Sequence, residues 1–269
     1  MVLNIRNLLA EVWFAYSRFI FGSPPLFNIL APEYFHVRAI FCFVRDSLKY
    51  VSRGQYILDV GCGDQRYKKY AAASNTYIAM DHGQSVGKIY YKGVRPGIIG
   101  DIKAIPLESS CIDYILCTEV LEHVNDTIQA MKEVSRVLRE AGLLIITVPF
   151  IFPEHDYPND YYRYTMGGIK FICEQAGLEI DEIVKIGGLG TVFVDLLARV
   201  FSNFLNSTIL GKIFYYSVGL LAVPLIYLLL NIVGYFLNVI KLSSFYSGVG
   251  LVCKKNGYVW ARQPYERDY

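Results

Sequence analysis

Two glycines, Gly61 and Gly63, lie in a turn just after the strand pattern ILDV at residues 57–60 and carry the clearest chemical signal in the sequence. Glycine adopts positive φ easily and lets a ligand come close to the backbone. In a doubly wound sheet, a turn at the carboxyl end of the first strand is where such a ligand binds. The pattern predicts a nucleotide-like ligand at this turn, and a purely structural turn is the alternative.

Neighbouring residues narrow the choice of ligand. The dinucleotide fingerprint GxGxxG needs a third glycine at position 66, where this chain has Arg66, and the phosphate-binding pattern GxxxxGK[ST] does not occur. Asp81 ends the run YIAMD, about twenty residues after the glycines. A carboxylate at such a strand tip can accept hydrogen bonds from both hydroxyls of a ribose. A nicotinamide or flavin dinucleotide is therefore disfavoured.

The elements that must position these residues follow from an alternation of strand and helix patterns that starts at residue 55. It includes a helix from about Thr127 to Arg139, which Gly142 is placed to end, and a helix from Thr165 to Gly177. We predict an α/β fold with a doubly wound, mostly parallel sheet. The predicted regions are a helical extension (1–54), the core (55–188), a hydrophobic helical insertion (189–244), the last core strand (245–257) and a polar tail (258–269).

The core resembles class I S-adenosylmethionine-dependent methyltransferases of the type 11 branch. The resemblance rests on five motifs in the family's order: ILDVGCGD, YIAMD, GDIKAIPLESSCIDYILCTEVLEHV, EVSRVLREAG and LLIITVPF. It covers residues 55 to 188 and resumes at the last strand. It implies a Rossmann-like fold, S-adenosylmethionine as cofactor and methyl transfer as the activity.

The resemblance also implies which positions contact the cofactor. They are Asp59, Gly61 and Gly63 around the methionine part, Asp81 at the ribose, Asp101 and Ile102 at the adenine, and Thr118 and Glu119 on the opposite side. The chain departs from the family at Gln65, where many relatives carry a third glycine, and this affects only the detail of the turn.

Further reactive side chains lie in the segment after the fifth strand, residues 149–165, which overhangs the ligand crevice of an open sheet. An oxygen nucleophile must lose its proton during methyl transfer, and a histidine that titrates near neutrality suits that task. His155 is therefore the candidate catalytic base, with Asp156 or Glu154 as its orienting partner. Relatives with this loop pattern are associated with glycan or lipid-linked substrates.

Three other residues, Asp160, Arg163 and His123, are candidates for binding the substrate. The alternative for the first two is that they pair to shape the loop while Thr165 caps the next helix. The alternative for His123 is a structural hydrogen bond.

The insertion combines two apolar patterns. Apolar residues keep three-four spacing from Leu189 to Leu205, with Asp195 and Arg199 on the other side, which predicts an amphipathic helix. Residues 213–240 carry no charge and are long enough for a bilayer core of about 30 Å. Because the flanking strands share a sheet, both ends of the insertion lie on one side of any membrane. A shallow hairpin bending near Pro224 beside an interfacial helix is therefore expected, with packing on the protein or across a dimer as the alternative.

Composition limits the partners. Lysine and arginine number 26 against 24 acidic residues, and this balance gives no sign of a nucleic-acid-binding surface. The content of 54% hydrophobic residues and the mean hydropathy of +0.32 favour membrane contact. The six cysteines lack disulfide or zinc spacing, so no metal site is predicted and reduced thiols on the cytoplasmic side of a membrane are expected. No cleaved signal peptide is expected at the N-terminus.

We therefore predict O-methylation of a membrane-proximal glycan, lipid-linked sugar or quinone-like lipid, with residues 189–240 contacting the membrane. A non-catalytic S-adenosylmethionine-binding regulator and a membrane-anchored interaction protein are the alternatives.

Overall fold

The computed structural model describes residues 29, 33–49, 51–71, 73–84, 94–211, 219–240, 242, 244–255 and 265–268. The helices are α1 (Tyr34–Leu48), α2 (Thr127–Val137), α3 (Met166–Gln175), α4 (Leu189–Ser207) and α5 (Gly219–Asn238). The strands are β1 (Tyr56–Val60), β2 (Thr76–Asp81), β3 (Ile98–Ile99), β4 (Ile112–Thr118), β5 (Leu138–Pro149), β6 (Leu178–Ile186), β7 (Gly248–Lys255) and β8 (Tyr265–Asp268). Short 3₁₀ turns occur at Lys68–Tyr70 and Leu121–His123.

The eight strands form one sheet in the order β3-β2-β1-β4-β5-β7-β6-β8. The strands from β3 to β5 run parallel, β7 is antiparallel to both β5 and β6, and β8 is parallel to β6. The predicted doubly wound, mostly parallel sheet is confirmed. Because β1, β2, β4 and β5 are parallel, their carboxyl ends meet at one edge of the sheet, which is where ligands bind in such folds.

The central strands explain why the sheet forms. Ile115 and Leu116 of β4 and Leu144 and Ile146 of β5 are fully buried, as expected for parallel strands that are covered on both faces. Helix α2 contributes one apolar face, and the carboxylate of Asp126 caps it by accepting a hydrogen bond from the backbone N–H of Gln129.

Two sequence predictions about this sheet are wrong. The helix ends at Val137 and β5 begins at Leu138, so Gly142 is a strand residue and not a helix cap. A Cβ atom at Gly142 would lie 2.9 Å from the backbone oxygen of Asp113, so glycine is needed there for the close approach of β4 and β5. The predicted polar tail also contains β8, which pairs with β6 at the edge of the sheet.

The chain falls into two compact units. The sheet unit comprises residues 42–150, 154–186 and 248–269, and the helical unit comprises residues 1–41, 151–153 and 187–247. The predicted N-terminal extension, up to Phe41, and the predicted insertion thus belong to the same unit.

Helices α4 and α5 of the helical unit pack closely and antiparallel to each other. A Cβ atom on Gly190, near the start of α4, would lie 1.9 Å from the carbonyl oxygen of Gly234, near the end of α5. At the opposite ends, Ala198 and Leu205 cluster with Val223 and Tyr227. The expected bend near Pro224 is wrong, because Pro224 lies inside the continuous helix α5 and the hairpin is formed by α4 and α5 instead.

Helix α4 is also rotated relative to the prediction. Asp195, expected on the outer side, is 2% exposed, and neither of its carboxylate oxygens accepts a hydrogen bond within the described chain. Five apolar residues of the predicted stripe instead face outward: Phe193, Leu196, Leu197, Val200 and Phe204. Val192 and Leu205 of that stripe are buried, and the small residues Gly190 and Ala198 allow the close approach of α5.

The exposed apolar surface is concentrated in this hairpin and the residues next to it. Of the 26 large hydrophobic residues that are exposed in the described chain, 17 lie between Phe193 and Phe245. Among the residues that the structure describes, no helix combines the length and apolar character needed to cross a bilayer.

Candidate functional site

The glycine turn after β1 has the geometry that its sequence predicts. Gly61 and Gly63 have φ values of 69° and 48°. A Cβ atom on Gly61 would lie 2.4 Å from Cγ2 of Val120, whereas one on Gly63 would meet no atom within 4 Å. Gln65, which stands where relatives carry a third glycine, also has a positive φ of 53°. The turn thus keeps its shape, and the space beside Gly63 is open to a ligand.

Asp81, at the end of β2, is tied directly to this turn. One carboxylate oxygen accepts a hydrogen bond from the N–H of Gly63 at 3.0 Å, and the other accepts one from the N–H of His82 at 2.7 Å. Each carboxylate oxygen has a second lone pair. The structure therefore brings Asp81 and the glycine turn together as predicted, with acceptor capacity left for ribose hydroxyls.

Asp59 lies deeper than the sequence indicates. Its side chain is 1% exposed, and its carboxyl group accepts a hydrogen bond from the hydroxyl of Tyr77 on β2. Burial raises the pKa of Asp59 to about 7. Tyr77 was not identified from the sequence, because its partnership with Asp59 depends on the pairing of β1 with β2.

The remaining positions expected at the cofactor lie along the same edge of the sheet. The N–H of Gly100 donates to the backbone oxygen of Asp81, which places Asp101 and the buried Ile102 beside the end of β2. Thr118 ends β4, and Glu119 follows it with a positive φ of 52°.

The loop after β5 is built around Asp160. Its two carboxylate oxygens each accept a hydrogen bond of 2.6 Å from the guanidinium of Arg163, and one also accepts a hydrogen bond from the backbone N–H of His155. Although burial raises it, the pKa of Asp160 is held at about 2 by these hydrogen bonds and by the positive charge beside it. The pairing of Asp160 with Arg163, and the cap that Thr165 provides to the N–H of Gly168, match the structural alternative.

His155 has a carboxylate neighbour that the sequence analysis did not name for it. Its Nδ1 atom lies 3.4 Å from Asp160 and 3.3 Å from the guanidinium of Arg163. Asp160 thus adds a negative charge beside the ring, and the orienting role expected of Asp156 or Glu154 stays a prediction. Asp156 has a positive φ of 54°, and its part in catalysis stays a prediction.

His123 lies against His155, with the two ring centroids 4.9 Å apart. Its Nδ1 atom is 2.7 Å from the backbone oxygen of Asn159, and since a carbonyl oxygen can only accept, Nδ1 carries the proton. Burial lowers the pKa of His123. The lowered pKa favours the neutral ring, and with the proton on Nδ1 the lone pair lies on Nε2.

Glu122 was missed by the sequence analysis. It is fully buried, and neither carboxylate oxygen accepts a hydrogen bond within the described residues. Burial raises its pKa well above the ordinary value. The available signal was its position beside His123, between the buried apolar residues Leu121 and Val124.

Two groups of residues therefore meet at the carboxyl edge of the sheet. One, the glycine turn with Asp81, is suited to a ribose-containing ligand, and the other, around His123 and His155, is suited to proton transfer or to binding an acceptor.

Comparisons with known proteins agree with this geometry. Residues 58–146 match the model of the Methyltransferase domain family. A probable S-adenosylmethionine-dependent methyltransferase of Mycolicibacterium smegmatis is 25% identical over 49% of this chain and 55% of its own length. The structure of phosphoethanolamine N-methyltransferase 2 of Haemonchus contortus, in complex with S-adenosyl-L-methionine, is similar in fold with a TM-score of 0.51, at 14% identity, over 82% of this chain and 53% of that one.

The chain spans between 40% and 55% of the length of the first curated relatives that it matches. Residues 58–146 therefore match a methyltransferase domain, and the solved structure in complex with S-adenosyl-L-methionine shares the fold. The open space at Gly63 and the acceptor capacity of Asp81 fit a ligand such as S-adenosylmethionine.

Proposed function

We propose that this chain, whose central sheet is a class I S-adenosylmethionine-dependent methyltransferase domain, methylates an oxygen nucleophile on a glycan, lipid-linked sugar or quinone-like lipid close to a membrane. The observation that carries the proposal is the meeting, at one edge of the sheet, of the glycine turn with Asp81 and the His123–His155 pair.

One group of residues binds the cofactor, and another acts on the acceptor. S-adenosylmethionine supplies, when bound, an electrophilic methyl group on a sulfonium. The turn and Asp81 fix the position of the cofactor, because methyl transfer is an in-line displacement whose rate depends on alignment. His155 accepts the proton of the acceptor hydroxyl, and Asp160 stabilises the charged ring that results.

The exposed apolar face of the helical unit supports a membrane-proximal acceptor. Seventeen exposed large hydrophobic residues lie between Phe193 and Phe245, and apolar residues that cluster on a protein surface mark sites of interaction. We assign this face to the surface of a bilayer on its cytoplasmic side, with residues 189–240 lying in the interface. A lipid-anchored acceptor would then be held near the enzyme without a separate binding domain.

Titration calorimetry followed by a transfer assay tests the enzymatic proposal. Full-length protein in mild detergent should bind S-adenosylmethionine and should move a labelled methyl group into the lipid or glycolipid fraction of a membrane extract. Absence of cofactor binding would refute the proposal at its base. Binding without transfer to any fraction would favour the non-catalytic regulator.

Vesicle flotation tests the membrane proposal. Leu229 and Phe236 are 62% and 66% exposed on α5. Burying each side chain in lipid removes on the order of 100 Å² from water, which is about 2.5 kcal/mol. Leu229→Glu with Phe236→Glu should therefore lower the vesicle-bound fraction at least about tenfold.

The matched control is Phe171→Glu, at an apolar position that is 56% exposed on α3 of the sheet unit. This variant should float like the wild type. Equal flotation of all three proteins, or a wild type that stays unbound and monodisperse without detergent, would remove the membrane assignment.

A further inference from the structure

We propose that Glu122, His123 and His155 form a binding site for a divalent transition-metal ion. Each of the three side chains offers one ligand atom, and these atoms lie within 4.8 Å of one another. Sequence spacing gave no sign of such a site, because two ligands follow β4 and the third follows β5.

The distances suit a shared ion. Oε1 of Glu122 and Nε2 of His123 are 3.7 Å apart. Two ligands that each lie about 2.0 to 2.2 Å from a common metal are separated by roughly 3 to 4 Å. Small rotations of the side chains would bring the third ligand atom to the same distance.

The buried carboxylate of Glu122 is the independent observation that points to a cation. A carboxylate without hydrogen bonds in a fully buried position is costly, and a bound cation is one of the few partners that offset the cost. The charges of Glu119 and Asp160 add to the negative potential there. The guanidinium of Arg163 is nearby, but Asp160 already binds it through two hydrogen bonds.

The groups that hold the histidine rings also suit metal binding. A ligating histidine usually donates its other N–H to a carbonyl or carboxylate, which fixes the tautomer and the ring orientation. His123 donates from Nδ1 to the backbone oxygen of Asn159, which leaves Nε2 free to coordinate on the side of Glu122. Nδ1 of His155 lies 3.4 Å from Asp160 and 3.3 Å from the guanidinium of Arg163, so a bound ion would select the tautomer in which Nδ1 donates to Asp160 and Nε2 binds the ion.

Two imidazoles and one carboxylate select the class of metal. Imidazole ligands favour zinc, cobalt, nickel, copper and iron over magnesium or calcium, and three protein ligands leave coordination positions open. For turnover, the inference rests on the proposed function: an ion here would lower the pKa of an acceptor hydroxyl, and His155 would then be a ligand in place of a free base.

Cobalt titration of the full-length protein tests the site. Protein stripped with a chelator should bind about one Co²⁺ and show visible absorption bands, and Zn²⁺ should displace the Co²⁺. Glu122→Gln and His155→Ala should each weaken Co²⁺ binding by about 100-fold or more, since even second-shell changes cost 10- to 100-fold. His82→Ala, at an exposed histidine outside the cluster, should bind Co²⁺ like the wild type.

S-adenosylmethionine affinity measured on the same samples shows that the variants are folded and separates the two proposals. A wild type that binds S-adenosylmethionine but no Co²⁺ would overturn the metal site and leave the proposed function standing. A wild type that binds Co²⁺ but no S-adenosylmethionine would support the metal site and overturn the proposed function. Co²⁺ binding that persists unchanged in Glu122→Gln and His155→Ala, or that is lost equally in His82→Ala, would also overturn the site.

Discussion

The sheet unit and the helical unit distribute their apolar residues in opposite ways. In the sheet unit, Ile115 and Leu144 are fully buried, and charged groups such as Asp160 and Arg163 pair with each other. In the helical unit, Val200 is 66% exposed while Asp195 of the same helix is 2% exposed. The sheet unit buries most of its large apolar side chains, whereas the helical unit exposes many of its own.

This difference shows that an amphipathic pattern does not determine which face of a helix is buried. The three-four spacing in α4 shows that the helix has two faces, but the identity of the inner face depends on what packs against it. Gly190 and Ala198 admit α5 at close range, whereas Leu196 and Val200 would hold it away. The close contact with α5 therefore decided the orientation, at the cost of burying Asp195.

The largest expected effect is on turnover and comes from His155 in the sheet unit. His155→Ala should lower turnover by about two to four orders of magnitude, the usual contribution of a positioned base, and should leave S-adenosylmethionine affinity nearly unchanged. Single-turnover rates and calorimetry on the same sample measure both quantities. Wild-type turnover on the true acceptor would remove His155 from the mechanism.

Asp81→Ala should have the next largest effect and should act on binding. Loss of hydrogen bonds to the cofactor and to the N–H of Gly63 should weaken S-adenosylmethionine binding by about 1.5 to 3 kcal/mol. Glu179→Gln, at an exposed carboxylate of β6, is the control and should bind like the wild type. Unchanged affinity in Asp81→Ala would exclude the ribose assignment.

In the helical unit, Asp195→Asn should raise stability in a pH-dependent way. Burial raises the pKa of Asp195 to about 7, in an environment that also contains His36, Arg199 and Glu33. The folded protein therefore holds a proton that the unfolded chain releases above about pH 4, so wild-type stability falls as the pH rises from about 4 to 7.

Because asparagine carries no titrating proton, the variant should gain roughly 2 to 4 kcal/mol in the free energy of unfolding at pH 8 and little at pH 4. Denaturant unfolding at the two pH values measures the difference. A gain of equal size at both pH values would show that the carboxylate is not strained by burial.

The smallest effect concerns the end of the loop after β5. Thr165→Ala removes a helix cap and should cost about 1 kcal/mol of stability, since its hydroxyl accepts the N–H of Gly168. Cofactor affinity should stay within about twofold of the wild type, because a cap acts on helix α3 and not on the ligand. A large loss of affinity with little change in stability would mean that Thr165 acts on the site.

The sequence predicted features that are encoded within one turn or one strand. Gly61 and Gly63 can adopt the positive φ of the turn without a steric penalty, and Asp81 is placed by the end of its own strand. The mostly parallel sheet follows from the alternation of strands and helices along the chain from β1 to β5. These features depend little on distant contacts.

Features that depend on distant contacts were missed or misread. The burial of Glu122 depends on how the loop after β5 covers it, and the neighbour of His155 depends on how that loop folds around Asp160. Gly142 has the spacing of a helix cap, yet the approach of β4 made it a strand residue. In each case the local pattern allowed two structures, and tertiary packing chose between them.

The pairing of β6 with β7 has a consequence for the segment that connects them. Ile186, the last residue of β6, lies opposite Gly248, the first residue of β7, so the chain leaves the sheet and returns to it at adjacent positions. A two-residue hairpin turn could join such ends directly. The strand register therefore sets no minimum length for residues 187–247, and a chain shortened there to a tight turn should keep the pairing of β6 with β7.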